Sequence, residues 1–159
     1  MNNFQTPEWV CNIMVSNLHK NGTGIILEPT PGDGNLVNAI KIQCPCSDII
    51  TPVDFWNYDF SRFTYIDSIV MNPPFSPMKV GYEILYRCME LSDYIIALMP
   101  WLTIINSQKR TNDIFNFGLS KIYHLPRIAF PGSRVQTCIM VLEKGYNRET
   151  IFERGVRDV

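Results

Sequence analysis

Three apolar residues, Ile25-Ile26-Leu27, run straight into Glu28-Pro29-Thr30-Pro31-Gly32-Asp33-Gly34, and a helix-forming stretch follows over 35–42. The apolar run reads as a buried strand, and the two glycines behind it let the backbone turn sharply. Strand, glycine-rich turn and helix in that order form the opening unit of a parallel sheet, which takes ligands beyond the carboxyl ends of its strands. Glu28 falls at such an end, where a carboxylate meets a ligand ammonium or hydroxyl. No lysine follows the second glycine, so the turn is not a phosphate-cradling P-loop.

The rest of the chain continues the alternation. A first helix is expected to be capped by Thr6, with Pro7 at its first position, Glu8 in its first turn and an apolar face of Trp9, Val10, Ile13, Met14 and Leu18. Asn21-Gly22-Thr23-Gly24 ends it. Strands are expected over 48–53, 67–71 and 94–99, with helices over 80–91 and 108–117, the last stopped at Gly118. Two closing strands, 121–125 and 136–143, are joined too closely for a helical crossover and read as an antiparallel edge hairpin. The pattern predicts an α/β domain: a mostly parallel sheet with helices on both faces.

With 159 residues, the chain suits a single domain over 1–159. Its 46% hydrophobic and 18% charged residues supply a core. No apolar run reaches the 18 or so residues of a membrane span. The first residues lack the basic and apolar regions of a signal peptide, which places the protein in the cytoplasm. Five cysteines, an odd number, do not suggest a disulfide framework. Cys44-Pro45-Cys46 lacks the two further ligands a zinc site needs, and no metal is expected. Net charge is −1, but residues 1–75 hold 3 basic against 7 acidic side chains and residues 76–159 hold 11 against 8. The basic bias of the second half suits a face that meets phosphates.

Asn72-Pro73-Pro74-Phe75, at the end of the strand over 67–71, carries the most specific chemistry. Two prolines remove two backbone donors and stiffen the segment, leaving its carbonyls outward. A side-chain amide oxygen and a fixed carbonyl together accept both hydrogens of an –NH2 group. An aromatic amine is a poor nucleophile because its lone pair is delocalised into the ring. Two acceptors that bend it towards tetrahedral geometry localise that pair, which is preorganisation aimed at developing charge. Phe75 adds a face for a planar base.

Glu28-Pro29-Thr30-Pro31-Gly32-Asp33-Gly34 followed by Asn72-Pro73-Pro74-Phe75 resembles the class I S-adenosylmethionine-dependent N6-adenine methyltransferases, above all the small phage-type DNA adenine methylases. Gln5-Thr6-Pro7 is similar to the family's leading cofactor segment. Val135-Gln136-Thr137-Cys138, behind Leu125-Pro126-Arg127 and Phe130-Pro131-Gly132, is similar to its closing hairpin region. The resemblance implies a Rossmann-like class I methyltransferase fold, S-adenosylmethionine as cofactor, and methyl transfer to adenine N6 in DNA. Thr6, Glu28, Pro29, Gly32 and Gly34 are then implied to surround the methionine part of the cofactor. Asn72, Pro73 and Phe75 are implied as catalytic, with Pro74 beside the base. Thr6 reads equally well as a plain helix cap. Adenine in RNA and a protein glutamine amide are alternative targets, and a non-catalytic cofactor-binding subunit is a reading from another class.

The chain departs from the family in two places. Residues 35–71 leave little space for the acid that binds the cofactor ribose and the Asp-Phe pair near its adenine. Asp54-Phe55 is preferred for that pair and Asp59-Phe60 is the alternative; Asp48 stands at the wrong end of its strand for the ribose. There is also no separate target-recognition domain, so a second copy or a partner subunit is expected to supply recognition. Lys109, Arg110, Arg127 and Arg134 are candidates for phosphate contacts. Phe130 is a candidate for the far side of the base pocket, with packing under the hairpin as its other reading.

Overall fold

The computed structural model describes residues 5–19 and 23–157. Its strands are β1 (Ile25–Leu27), β2 (Asp48–Ile50), β3 (Ser68–Met71), β4 (Tyr94–Pro100), β5 (Leu119–His124), β6 (Thr137–Glu143) and β7 (Ile151–Arg154). They form one sheet in the order β2-β1-β3-β4-β6-β5-β7. Neighbours from β2 to β4 pair in parallel, β6 lies antiparallel between β4 and β5, and β7 runs parallel to β5. Helices α1 (Glu8–Ser16), α2 (Asn35–Gln43), α3 (Met78–Leu91), α4 (Leu102–Ile105) and α5 (Gln108–Phe117) complete the fold.

Both faces of the central strands are covered, and this is why they are almost wholly apolar. Side chains alternate across a strand. Ile69, Met71, Ile95, Ala97 and Met99 therefore meet Ile84, Leu85 and Cys88 of α3 and Ile114 of α5. Val70, Ile96 and Leu98 meet Val10 and Met14 of α1 and Leu36 and Ile40 of α2 on the other face. The expected layers are thus present, with α5 at the bounds read from the sequence.

The differences have local causes. Strand β2 stops at Ile50, because Pro52 cannot extend the ladder. Helix α1 begins at Glu8; Pro7 precedes it in an extended conformation (φ −60°, ψ 149°), and no side chain caps it. Helix α1 ends at Ser16 with Asn17 as its C-cap, ahead of the expected stop at 21–24, of which Asn21-Gly22 lies outside the described residues. Strand β4 runs on through Pro100, and the short α4 follows where a loop was expected. Strand β7 was not foreseen. All four of its residues are exposed, so it carries no apolar alternation to read. It covers the outer side of β5, which leaves β7 as the last strand on that side. Among the described residues no helix is long and apolar enough to cross a membrane.

Leu98, with no exposed surface at the centre of β4, faces the α1–α2 layer. Leu98→Ala is expected to cost about 2–5 kcal/mol in urea unfolding followed by circular dichroism. Ile42→Ala, at an 83% exposed position on α2, is expected to change stability by less than about 0.5 kcal/mol.

Candidate active site

Strands β1, β3 and β4 run in the same direction, so their carboxyl ends share one edge of the sheet. Glu28 and Asn72 are the residues immediately after β1 and β3, and the fold brings them into one hydrogen-bonded chain. The Asn72 Nδ2 amide donates to the Thr6 hydroxyl at 2.8 Å. The Asn72 main-chain carbonyl accepts from the Thr30 hydroxyl at 3.1 Å. Thr30 in turn donates to Glu28 Oε1, from its backbone N–H at 2.7 Å and from its hydroxyl at 3.4 Å. The amide nitrogen of Asn72 is thereby occupied, and its Oδ1 is turned to accept from elsewhere.

Glu28 is 1% exposed. Burial pushes its carboxyl up to about 7, against the opposing pull of the two Thr30 hydrogen bonds. No cation lies against it among the described residues. A buried carboxylate held by one threonine is suited to a ligand cation or hydroxyl, because such a partner repays the cost of its charge. Its own N–H donates to the Ile50 carbonyl at 2.9 Å, so the ends of β1 and β2 are pinned together beneath the site.

The glycine turn holds the chain's first described residues. Gly32 has φ +52° and Gly34 has φ +89°, both left-handed, and Gly34 is the residue from which α2 starts. Between them the Asp33 N–H donates to Gln5 Oε1 at 3.3 Å. Asn35 Nδ2 donates to the Thr6 carbonyl at 3.1 Å. The Thr6 hydroxyl is thus spent on Asn72 and not on capping α1, which decides between its two readings as regards the cap.

On the other side, the Asn72-Pro73-Pro74-Phe75 segment rests on α3. A Cβ on buried Gly81 would stand 2.9 Å from the Pro74 carbonyl oxygen and 3.6 Å from Pro73 Cγ. Pro73 is buried, Pro74 exposed and Phe75 half-buried against the α1–α2 layer.

Other candidates are placed differently. Asp54 and Asp59 are both exposed, and each caps its own turn. Asp54 accepts from the Trp56 and Asn57 N–H groups, and Asp59 from Ser61. The phenylalanine after each is buried in the core on the α3 face. Asp48 opens β2 and is exposed. Phe130 is a core residue, 6% exposed and packed in the α1–α2 layer, so it offers no ring face to a base. Arg110 is not a free phosphate contact either. Its guanidinium donates to the Thr103 carbonyl at 2.7 Å and the Leu102 carbonyl at 3.1 Å, and stacks 3.8 Å from the Tyr82 ring centre. Lys109 is exposed but ion-paired with Asp113 at 2.6 Å. Arg127 and Arg134 are exposed in the β5–β6 connection. Sequence reasoning gave Thr30, Asn35 and Gly81 no role of their own and named Gln5 only within Gln5-Thr6-Pro7; Thr30, a hydroxyl between two prolines in the turn, and Gln5, beside Thr6, left a visible sign.

No protein-family model matches the sequence, and no curated protein matches it. Solved structures do. A type I restriction-modification system methyltransferase subunit from Streptococcus thermophilus is 16% identical and superposes with a TM-score of 0.74 over 95% of this chain and 47% of its own. The M protein of the type I restriction enzyme EcoKI is 12% identical, with a TM-score of 0.68 over 89% of this chain and 44% of its own. The 23S rRNA methyltransferase ErmE is 16% identical, with a TM-score of 0.63 over 94% and 71%. The chain therefore has the Rossmann-like class I methyltransferase fold and spans about half the length of the restriction-modification proteins it matches.

Glycine-to-alanine changes inside helices normally stabilise by about 1 kcal/mol. At Gly81 the sign is expected to invert, to a loss of about 1–3 kcal/mol in thermal unfolding, because the obstacle is the Pro74 backbone oxygen. For Glu28, the folded protein holds a proton that the unfolded chain has released between pH 4.5 and about 7. Unfolding free energy is therefore expected to fall as pH rises through that window. Glu28→Gln is expected to lose this part of the slope when melting temperatures are compared at successive pH values.

Proposed function

We propose that this chain is an S-adenosylmethionine-dependent methyltransferase that methylates the N6 amino group of adenine in DNA. The observation that carries the reading is the continuous hydrogen-bonded path Thr6–Asn72–Thr30–Glu28. It ties the glycine-turn residues suited to a cationic, amino-acid-like ligand to the one segment built to accept an –NH2 group. Similarity to solved DNA- and RNA-modifying methyltransferases supports it.

When bound, the cofactor supplies an electrophilic methyl group. The chain's own residues supply position and charge. Glu28 holds the ligand's ammonium or hydroxyl groups, while Gly32 and Gly34 keep the turn free of side chains, with Pro29 stiffening its start. Asp54, in the turn that follows β2, is the acid we assign to the neighbourhood of the cofactor's adenine. Asn72 Oδ1 and the Pro73 carbonyl accept the two amine hydrogens and localise the lone pair as the methyl is attacked. Phe75 stacks on the base, with Pro74 beside it. The displacement is direct, and it gains from alignment and exclusion of water.

A base inside a duplex has to be flipped out, which costs a few kcal/mol repaid by contacts to the strand. We assign sequence recognition to a partner subunit or a second copy of this chain, a reading supported by the similarity to subunits of restriction-modification systems.

Asn72→Ala is expected to lower kcat by about 1,000-fold or more while cofactor binding, measured by calorimetry, is kept. Thr6→Val, which frees the Asn72 amide, is expected to lower kcat by about 10–100-fold, with Thr6→Ser restoring most of it. The reading itself is tested by transfer of a labelled methyl to mixed DNA and RNA, then digestion and nucleoside mass spectrometry. N6-methyldeoxyadenosine is the expected product. Label in RNA adenosine alone would move the substrate to RNA. Cofactor binding with no labelled nucleoside would point to protein glutamine or to a non-catalytic subunit.

A further inference from the structure

The chain's eight arginines fall into two sets. Arg62, Arg87, Arg110 and Arg148 each have an ion pair, a hydrogen bond or an aromatic ring. Arg127, Arg134, Arg154 and Arg157 have none of these among the described residues. All four of the second set stand at the carboxyl edge of the sheet. Arg127 and Arg134 lie in the connection that leaves β5, and Arg154 ends β7 in register with His124 at the end of β5. The Gly155 N–H donates to the His124 carbonyl at 2.8 Å, so the segment carrying Arg157 is fastened to the same edge.

Beside these arginines two concavities of about 420 and 650 Å³ meet, sharing Trp9, Ile128, Val156 and Arg157 as walls. The first also has His124 and Arg154, the second Pro7 and Glu8. Ile128 is 78% and Val156 56% exposed, so the walls carry uncovered apolar surface beside the guanidiniums. Pro7 and Glu8 directly follow Thr6, whose hydroxyl holds the Asn72 amide. The groove therefore begins next to the –NH2-accepting site and runs away from it along α1 towards the free arginines.

We propose that this groove carries the phosphodiester backbone of the strand whose target base reaches Asn72, with Arg154 and Arg157 on phosphates and Trp9 offering a face to a flanking base. Unpaired guanidiniums, an indole and exposed aliphatics match the alternation of phosphate, base and sugar along a single strand. Among the described residues Glu8 is the one carboxylate on its walls, at the end nearest the candidate active site. The assignment rests on the nucleic-acid reading above and deepens it.

The test is fluorescence anisotropy of a labelled adenine-containing oligodeoxynucleotide over a salt series, with methyl transfer to the same oligonucleotide measured in parallel. Arg154→Ala/Arg157→Ala is expected to weaken binding by about ten-fold or more at low salt. Its log-affinity against log-salt slope is expected to be shallower by about 1.5, the value for two lost phosphate contacts. Arg154→Lys/Arg157→Lys should restore most of the affinity, and calorimetric cofactor binding without nucleic acid should stay at the wild-type value. Arg87→Ala/Arg148→Ala changes net charge equally at partnered positions and should bind as wild type. Wild-type slope and affinity in the groove variant, with methyl transfer intact, would overturn the groove and leave the function standing. Equal weakening by both alanine pairs would also overturn it. A wild-type chain that neither binds nor methylates any polynucleotide would overturn the function and the groove together. Recruitment of a partner protein, lost in the groove variant while oligonucleotide affinity is kept, would make the groove a protein-docking surface instead.

Discussion

The hydrogen bond from the Asn72 amide to the Thr6 hydroxyl joins two residues 66 positions apart and fixes the geometry on which the candidate chemistry rests. An asparagine side chain turns freely unless one end is tied. Tying the nitrogen turns the oxygen outward as an acceptor, and the two prolines behind it hold the neighbouring carbonyls still. The bond also explains why residues 5 and 6 run across the glycine turn. Gln5 and the Thr6 carbonyl are held by Asp33 and Asn35, so the strand-to-helix turn serves as the clamp for the asparagine's partner.

Glu28 shows what this arrangement costs. A carboxylate that is 1% exposed, with no cation beside it among the described residues, is costly to keep charged, and burial raises its affinity for a proton. Everything around it resists relief. Its backbone is locked to Ile50, its Oε1 is engaged by Thr30, and Thr30 is committed to Asn72. Stored electrostatic penalty of this kind is useful only where a ligand of opposite charge arrives. Charged groups that serve stability in this chain, such as Lys109 with Asp113 or Arg87 with Glu90, sit in partly or fully exposed pairs instead.

How much of this was legible in the sequence depends on whether a feature is written locally. Strand ends marked by motif residues, the layers of helix and the α5 boundaries follow from periodicity, and the structure agrees. The Asn72 segment and the glycine turn were legible because prolines and glycines act on their own backbone. Partners over a distance were not. Nothing near Thr6 signals that its hydroxyl belongs to Asn72 and not to a helix N-terminus. Phe130 and Arg110 look equally available in the sequence. One is buried in the α1–α2 layer, and the other is taken up by two carbonyls and a tyrosine ring. Strand β7 has no apolar alternation because an outermost strand with both faces in solvent has nothing to bury.

The same distinction between committed and uncommitted groups separates the two ends of the sheet's function. On the Glu28 side the polar groups are held in fixed hydrogen bonds, and Glu28 itself is 1% exposed with no cation beside it among the described residues. On the β5 and β7 side the arginines are exposed and, among the described residues, without partners, and Ile128 and Val156 beside them are uncovered. A small cationic ligand and a long anionic one make opposite demands. The first needs a desolvated carboxylate in fixed geometry, and the second needs mobile positive charge in water, where each contact releases counterions. With both sites along a single edge and Thr6 at the junction, as proposed, one short domain would meet both demands without a change of fold. The half-length match to restriction-modification proteins then has a physical reading. On the function proposed above, this chain would hold the parts that the chemistry requires, and the remaining half of those proteins would answer to other demands.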